Sequence, residues 1–82
     1  MNIVEYYGQI DSVIVPGIAF DRNFNRVGFG CGYYDRFLSK HPYSIKVGIC
    51  FQNQMCDKIN AEDTDIPMNV IITDEEIIVN ND

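Results

Sequence analysis

Three glycines alternate with other residues in the stretch RVGFGCGYYDR, and this spacing constrains the backbone more than any other feature of the chain. In an extended segment, residues two apart point to the same side. Gly28, Gly30 and Gly32 therefore remove the side chains from one edge of the segment and expose its main-chain N–H groups. The next stretch, YYDRFLSKH, carries apolar residues at helical spacing and precedes a proline. The sequence thus predicts a strand, a bare loop and a helix in immediate succession.

Two interpretations of this junction follow from the residues. In the first, the bare edge and the helix N-terminus cradle phosphate, because free N–H groups and the helix dipole favour an anion. Arg26 and Arg36 flank the loop and would neutralise charge, while Asp35 in the first helical turn would hold a cation such as Mg²⁺. In the second, the glycines serve close strand packing or a bulge and bind nothing. The spacing matches neither a Walker loop nor the dinucleotide fingerprint.

The remaining chain reads as short strands around this one helix. The predicted order is strand, two-stranded ribbon, helix, strand, helical turn and two strands, which indicates an α/β fold with at least two parallel strands. SVIVPG is the first strand, and the ribbon has arms at Ala19–Phe20 and Arg26–Val27 with a turn near Asn23–Phe24. YYDRFLSKH is the helix, SIKVGICF the next strand and QMCDKI the helical turn. NVIIT and EIIVN are the last two strands, joined near Asp74–Glu75. The run VIV fits a central strand covered on both faces. One nine-residue helix cannot cover both faces, so a layer is expected to come from elsewhere.

Composition limits the setting of such a fold. The chain has 82 residues, which allows a single domain. A net charge of −6 argues against nucleic-acid and anionic-membrane partners, and no apolar run approaches the length of a membrane helix. Cys31, Cys50 and Cys56 form an odd set without CxxC spacing, which favours reduced thiols over disulfides or zinc. The N-terminus lacks a signal-peptide pattern, so a cytoplasmic location is expected.

A longer pattern surrounds the glycines. VPGIAFDRNFNRVGFGCGYYDRFL, residues 15–38, resembles the signature of 5-formyltetrahydrofolate cyclo-ligases, also called methenyltetrahydrofolate synthetases. KVGICF and DTDIPMNVIIT extend the resemblance over nearly all of the chain after Ile10. It implies a three-layer-type α/β fold, a mostly parallel sheet with flanking helices. Residues 1–82 would form a single domain similar to the C-terminal part of a cyclo-ligase, an incomplete half of the fold.

The resemblance implies an activity and its partners. Family members use ATP and Mg²⁺ to convert 5-formyltetrahydrofolate to 5,10-methenyltetrahydrofolate, releasing ADP and phosphate. ATP and a reduced folate would thus be the ligands, with no nucleic acid and no membrane. Because the N-terminal half is missing, an inactive nucleotide-binding or interaction module stays open as an alternative, as does a structural remnant. A homo-oligomer or a separate N-terminal chain would complete the fold.

The resemblance also assigns residues. Tyr33 would lie against the formyl group and Arg26 would act with it as a catalytic residue, while Asp35 and Asp65 would hold Mg²⁺. Taken without the resemblance, Asp35 fits better as a solvated first-turn acid and Asp65 fits better as a turn residue. The implied ATP-binding residues are Arg26, Val27, Gly28, Phe29, Gly30, Cys31, Gly32, Tyr33 and Tyr34, and the implied folate-binding residues are Phe29, Gly30, Cys31, Gly32 and Tyr33.

Other residues of the motif are expected to be structural. Asp21, Arg22 and Asn23 fit a turn; Tyr34, Phe37 and Leu38 fit the core; His41 fits a helix-end cap; and the cysteines fit small packed side chains.

The sequence departs from the family pattern at two positions of the motif. Phe24 stands where the family has glycine, which would cost about 1–2 kcal/mol if the turn needs a positive φ. Cys31 occupies a variable place in the loop, and its side chain is expected to point away from the glycine edge. A third departure is the N-terminal half itself, which in the family carries a lysine and an arginine that reach the phosphates.

Overall fold

The computed structural model describes residues 11–28, 33–60 and 66–81, with side chains in the helix described from Arg36 onward. Seven strands, one α-helix and one short 3₁₀ helix occupy these ranges. They are β1 (Ser12–Val15), β2 (Ala19–Asp21), β3 (Arg26–Val27), α1 (Tyr33–Ser39), β4 (Ile45–Ile49), the 3₁₀ helix (Gln52–Gln54), β5 (Met55–Cys56), β6 (Val70–Ile72) and β7 (Ile77–Val79). The described elements form mixed sheets with few helices, and the α/β class is confirmed.

The larger sheet has the strand order β1-β4-β6-β7. β1 pairs parallel with β4, and β4 pairs parallel with β6, so the predicted parallel strands are present. β7 returns antiparallel to β6 through the turn around Asp74–Glu75. β-branched residues dominate these strands because they suit a pleated surface packed against neighbours.

A second sheet, which the sequence did not predict, has the order β3-β2-β5. The expected ribbon forms its first two strands, with Ala19 opposite Val27 and Phe20 opposite Arg26. The prediction of a helical turn at QMCDKI was wrong. The helical turn lies earlier, at Gln52–Gln54, and Met55 instead pairs with Phe20 in a parallel bridge. Met55 gains main-chain hydrogen bonds and core contact in this position, which outweighs a local helical preference.

The core lies between one face of the larger sheet and the layer formed by the second sheet and α1. Within the described residues it is formed by seven buried side chains: Val15, Phe20, Phe24, Leu38, Cys50, Met68 and Ile71. Phe20 reaches across the layers so closely that a Cβ at Gly48 would lie 2.5 Å from its ring. A glycine in the centre of β4 is therefore needed for the two sheets to approach each other. The opposite face of the larger sheet carries exposed aliphatic side chains, in line with the expectation that the one helix predicted from the sequence cannot cover both faces.

Helix α1 ends two residues before the predicted boundary. The N–H of Lys40 donates to the carbonyl of Phe37, and the N–H of His41 to that of Leu38, which tightens the last turn. The His41 ring lies 4.9 Å from the Phe37 ring, centroid to centroid, and Pro42 follows. His41 thus lies two residues beyond the helix end, with its N–H bonded to the last turn and its ring against Phe37. Leu38 is fully buried and Phe37 packs against the core, whereas the Tyr34 side chain lies outside the described residues.

Candidate functional site

The carboxyl end of β1 meets the start of the glycine loop. Pro16 and Gly17 follow β1 directly, and the N–H of Ile18 donates to the carbonyl of Val27 over 2.7 Å. The guanidinium of Arg26 donates from Nη1 to the carbonyl oxygen of Pro16 over 3.3 Å. These contacts hold β3, and the loop that leaves it, beside the end of a parallel strand. Ligands of open α/β sheets bind in this position.

Two glycines lie against the Arg26 side chain. A Cβ at Gly17 would lie 2.8 Å from Arg26 Cγ, and a Cβ at Gly28 would lie 2.6 Å from Arg26 Nη1. Both distances are shorter than real Cβ contacts, so an unsubstituted backbone is what lets Arg26 lie here. Gly28 therefore makes room for a guanidinium of the same chain. Gly30 and Gly32, the other glycines of the alternating set, lie outside the described residues.

Asp21 organises the hairpin between β2 and β3. Its Oδ1 accepts hydrogen bonds from the N–H groups of Asn23 (2.9 Å) and Asn25 (3.0 Å). Its Oδ2 accepts one from the Asn25 amide (3.1 Å) and one from the N–H of Ile59 (2.8 Å). Burial by itself raises the pKa of Asp21, but the hydrogen bonds from Ile59, Asn25 and Asn23 outweigh it, so the pKa lies below its ordinary value. This carboxylate is used in shaping the loop, as predicted.

Phe24 has a positive φ of 66°. The turn therefore does use the left-handed region at the position where the family has glycine. The N–H of Phe24 donates to the carbonyl of Asp21, and the N–H of Met68 donates to the carbonyl of Phe24. The ring is buried in the core at 8% exposure, so the strain of the backbone accompanies a large apolar contact.

Gln54 attaches the end of β4 to the turn after β1. Its Oε1 accepts a hydrogen bond from the N–H of Phe51 over 2.8 Å, which closes the 3₁₀ helix. Its Nε2 donates to the carbonyl of Ile18 over 3.1 Å. The same turn is therefore held by Gln54 on one side and by Arg26 on the other.

A polar network lies after β4 and β6. Arg22 forms a two-pronged ion pair with Glu76, with distances of 3.2 and 2.7 Å. Gln52 donates to Glu76 over 2.6 Å and accepts from the Thr73 hydroxyl over 2.6 Å. The hydrogen bond from Arg22, followed by that from Gln52, holds the pKa of Glu76 below its ordinary value. Sequence reasoning missed this network, although Gln52 directly follows one predicted strand and Thr73 ends another.

The predicted site residues are only partly within the described structure. Arg26, Val27 and Gly28 lie together at the end of β3, with Arg26 half-buried and Val27 exposed. Tyr33, Tyr34 and Asp35 form the first turn of α1, but their side chains lie outside the described residues. The predicted residues Phe29, Gly30, Cys31, Gly32 and Asp65 lie outside them entirely.

The described side chains hold no group of three acids, histidines or cysteines that would bind a metal. Neither predicted Mg²⁺ ligand is among those side chains.

The two described cysteines are both free thiols. Cys50 is buried in the core, where burial, and then the charge of Asp74, raise the pKa of its thiol. Cys56 is exposed, so the expectation of a packed side chain was wrong there, because β5 ends at the surface. In the described part of the chain, no helix has the length and apolar character that crossing a membrane requires.

Comparison with known proteins gives consistent matches. The model of the 5-formyltetrahydrofolate cyclo-ligase family matches residues 2–74. The chain is 35% identical to the probable 5-formyltetrahydrofolate cyclo-ligase of Schizosaccharomyces pombe, covering 96% of this chain and 45% of that protein. It is 34% identical to the 5-formyltetrahydrofolate cyclo-ligase of Escherichia coli K12, covering 84% of this chain and 39% of the relative.

Solved structures agree with these relatives. The 5,10-methenyltetrahydrofolate synthetase of Aquifex aeolicus matches with a TM-score of 0.76 and 38% identity, over 88% of this chain and 37% of that one. The synthetase of Mycoplasma pneumoniae matches with a TM-score of 0.72 and 37% identity, over 80% of this chain and 40% of that one. The chain thus spans less than half the length of these relatives. Their agreement in sequence and in fold shows that this chain belongs to the 5-formyltetrahydrofolate cyclo-ligase family.

Proposed function

We propose that this chain takes part in the ATP- and Mg²⁺-dependent conversion of 5-formyltetrahydrofolate to 5,10-methenyltetrahydrofolate, with release of ADP and phosphate. The observation that carries the proposal is the position of Arg26. Its side chain lies between Gly17 and Gly28, and its guanidinium, next to Gly28, donates to the Pro16 carbonyl at the carboxyl end of β1. The chain runs from there into the glycine loop and α1. Family membership and the names of the relatives support the reaction itself.

In this proposal the loop 26–34 binds the nucleotide. Arg26 neutralises phosphate charge, and the main-chain N–H groups of the loop donate to phosphate oxygens. Phe29 through Tyr33 also line the folate, with Tyr33 beside the formyl group. ATP phosphorylates the formyl oxygen, N10 of the folate attacks the activated carbon, and phosphate then leaves. Such a transfer depends on positioning and charge neutralisation, so no protein nucleophile is needed.

Asp35 and Asp65 are the residues that would hold Mg²⁺. The fit is chemical, since carboxylate oxygens are the hard donors that Mg²⁺ prefers. Asp35 lies in the first turn of α1, directly after the loop that would carry the phosphates. The metal would neutralise phosphate charge when bound. The protein's own part is to hold two carboxylates at that place and to keep Arg26 on the other side of the loop.

A second candidate function is a nucleotide-binding module without turnover. The short length of the match favours this candidate, because the chain aligns with only 45% of the fission yeast relative and 39% of the bacterial one. In both candidates residues 1–82 act as a single domain that corresponds to the C-terminal part of the family. We place this domain in the cytoplasm, where its free thiols Cys50 and Cys56 stay reduced.

The deciding experiment measures ATP-dependent formation of the methenyltetrahydrofolate chromophore from 5-formyltetrahydrofolate and Mg²⁺ over a range of protein concentrations. Turnover supports the enzyme, and MgATP binding without turnover supports the module. Absence of both in a folded sample contradicts the two proposals together.

The role of Arg26 is tested with a matched pair of variants. Arg26→Lys keeps the positive charge but loses the planar guanidinium, which can donate two parallel hydrogen bonds to a phosphate. We therefore expect MgATP affinity to fall about tenfold or more. Arg22→Lys makes the same change on the same hairpin, in an exposed pair with Glu76, and should leave the affinity unaltered. Equal loss in both variants would show that the effect comes from the hairpin as a whole.

The metal role is tested with Asp35→Asn. We expect weaker MgATP binding and little change in the binding of metal-free nucleotide, because only the carboxylate charge is removed. A similar loss for both ligands would remove Asp35 from the metal site.

A further inference from the structure

The turn between β1 and β2, residues 16–18, supports the Arg26 side chain at two points. The guanidinium donates from Nη1 to the Pro16 carbonyl over 3.3 Å. The aliphatic part lies so close to Gly17 that a Cβ there would be 2.8 Å from Arg26 Cγ. Gly17 has no side chain to restrain its backbone, so contacts with other segments must fix the position of this turn. The direction of the guanidinium therefore depends on what holds the turn.

Main-chain groups of this turn are bonded to β3 and to Gln54. The N–H of Ile18 donates to the carbonyl of Val27 over 2.7 Å. Val27 follows Arg26 in β3, so this bond moves with the arginine and cannot fix it relative to the larger sheet. Gln54 supplies a link from outside the hairpin, because its Nε2 lies 3.1 Å from the carbonyl oxygen of Ile18 and 3.5 Å from that of Gly17. Gln54 ends the 3₁₀ helix that comes next after β4, so it ties the turn to the carboxyl end of the larger sheet.

The Gln54 side chain uses a donor and an acceptor at once. Its Oε1 accepts a hydrogen bond from the N–H of Phe51 over 2.8 Å, while its Nε2 donates to the carbonyl of Ile18. A main-chain N–H can only donate and a carbonyl can only accept, so these partners leave one orientation for the amide. An ionised carboxylate can only accept, whereas a protonated carboxyl group can do both. A glutamate at this position would therefore reproduce the amide only when it is protonated.

We propose that Gln54 is a positioning residue for Arg26: through the turn 16–18 it sets where the guanidinium meets the phosphates of MgATP. This inference rests on the proposed role of Arg26 in binding the nucleotide. A guanidinium recognises phosphate through directional, paired hydrogen bonds, so a shift of its support weakens binding even though its charge is unchanged. Gln54 itself is half-buried and acts through the turn, without contact to the ligand.

Gln54→Glu tests the link to Arg26 on the 82-residue chain without any ligand. The Arg26 Nε–Hε signal is followed by NMR from about pH 7.5 to about pH 5, the range in which a glutamate with a raised pKa becomes protonated. We expect this signal to differ from that of the natural chain at the upper pH and to return toward it as the pH falls. Asn53→Asp is the matched control, because it places the same charge on the exposed neighbour in the 3₁₀ helix.

Comparison with the natural chain at each pH removes the titration of other groups. Asp74 and Glu76 bond to the neighbouring Gln52 and are present in every variant. The Arg22 Nε–Hε signal is an internal reference, because Arg22 lies on the same hairpin but pairs with Glu76. Gln54→Ala removes donor and acceptor together, so it should shift the Arg26 signal at every pH, with no return in acid.

MgATP affinity provides the functional readout, measured relative to the natural chain at the same pH. Gln54→Glu should bind about tenfold more weakly at the upper pH and within about twofold at the lower pH, because protonation restores the hydrogen bond to Ile18. Gln54→Ala should be weaker at both pH values, and Asn53→Asp should be unchanged. Circular dichroism checks that each variant is folded. If Gln54→Glu unfolds at the upper pH, Gln54→Asn replaces it; the shorter amide cannot reach both partners and should bind MgATP more weakly at every pH.

The outcomes separate this inference from the proposed function. If the natural chain does not bind MgATP while the Arg26 signal follows residue 54, the role of Arg26 in nucleotide binding is contradicted and its link to Gln54 stands. If the natural chain binds and the variants at residue 54 bind equally well at every pH, the role of Gln54 alone is overturned. An Arg26 signal that does not respond to residue 54 also overturns it, as does an equal effect of Asn53→Asp.

Discussion

Replacing Phe24 by glycine tests two opposing effects at one residue. The family pattern and the positive φ of 66° both suggest that glycine would relieve strain. That relief is worth about 1–2 kcal/mol, less about 0.5–1 kcal/mol for the greater freedom of glycine in the unfolded chain. Against it stands a ring that is only 8% exposed and belongs to the core. Deleting a buried phenylalanine side chain costs about 3–5 kcal/mol.

The loss of ring packing is therefore expected to exceed the relief of backbone strain. Phe24→Gly should lower the free energy of unfolding by about 2–4 kcal/mol, most of what a core of this size provides. Phe24→Ala loses the ring and keeps the strain, so it should be less stable than Phe24→Gly by about 1 kcal/mol. At Phe51, where φ is −81° and the ring is exposed, the order should reverse and alanine should be more stable than glycine.

Urea unfolding followed by circular dichroism measures these differences. Sulfate in the buffer keeps the weakest variants folded at zero urea, since it strengthens apolar burial. Greater stability of Phe24→Gly than of the natural chain would refute the reasoning, because strain would then exceed packing. Equal stability of the alanine and glycine variants at Phe24 would show that the turn carries no positive-φ strain.

Two further predictions concern the fold around the site. Gly48→Ala should destabilise the chain by about 1–3 kcal/mol in the same urea assay, because its Cβ would lie 2.5 Å from the rigid ring of Phe20. An unchanged urea concentration at half unfolding would mean that the two sheets separate easily. The pKa of Asp21 lies below its ordinary value of 3.8, so its stabilisation is present above that pH and is lost as the pH falls through the folded-state pKa. In thermal unfolding, the natural chain should therefore lose more stability in acid than Asp21→Asn does. At neutral pH, Asp21→Asn should be less stable than the natural chain by about 2 kcal/mol. Parallel pH profiles of the two proteins would contradict this role of Asp21.

Elements with a strong local pattern could be predicted from the sequence. The β-branched runs of β1, β4, β6 and β7 and the helical spacing after Tyr33 gave the right elements in the right order. The second sheet could not be found in this way, because β5 has only two residues and its pairing with β2 joins segments more than thirty residues apart. Such a contact depends on tertiary packing around Phe20, which no local window contains.

In the candidate site, too, the features with a local sequence pattern could be predicted and the tertiary contacts could not. Arg26 was selected from its place beside the glycines, and it does lie at the carboxyl end of β1. The pattern did not indicate that Gly17 and Gly28 make room for Arg26 itself, because that depends on how the hairpin folds over the turn after β1. The hydrogen bonds of Gln54 to Phe51 and Ile18 were missed for the same reason, since a glutamine on a short turn carries no periodic signal.

The parallel pairing of β1 with β4 also affects the order in which the chain can fold. Among the described strands, β1 pairs with β4, with Ser12 opposite Ile45, so this pairing forms only after the chain has been synthesised past that point. β4 is the strand on which both β1 and β6 assemble, whereas β6 and β7 are joined by a short turn and can pair as soon as both have been made. Folding must therefore wait for closure of a long loop, which makes it slow, and during this wait aliphatic strands are exposed. Such transiently exposed strands are prone to aggregate, which is the condition in which chaperones assist folding.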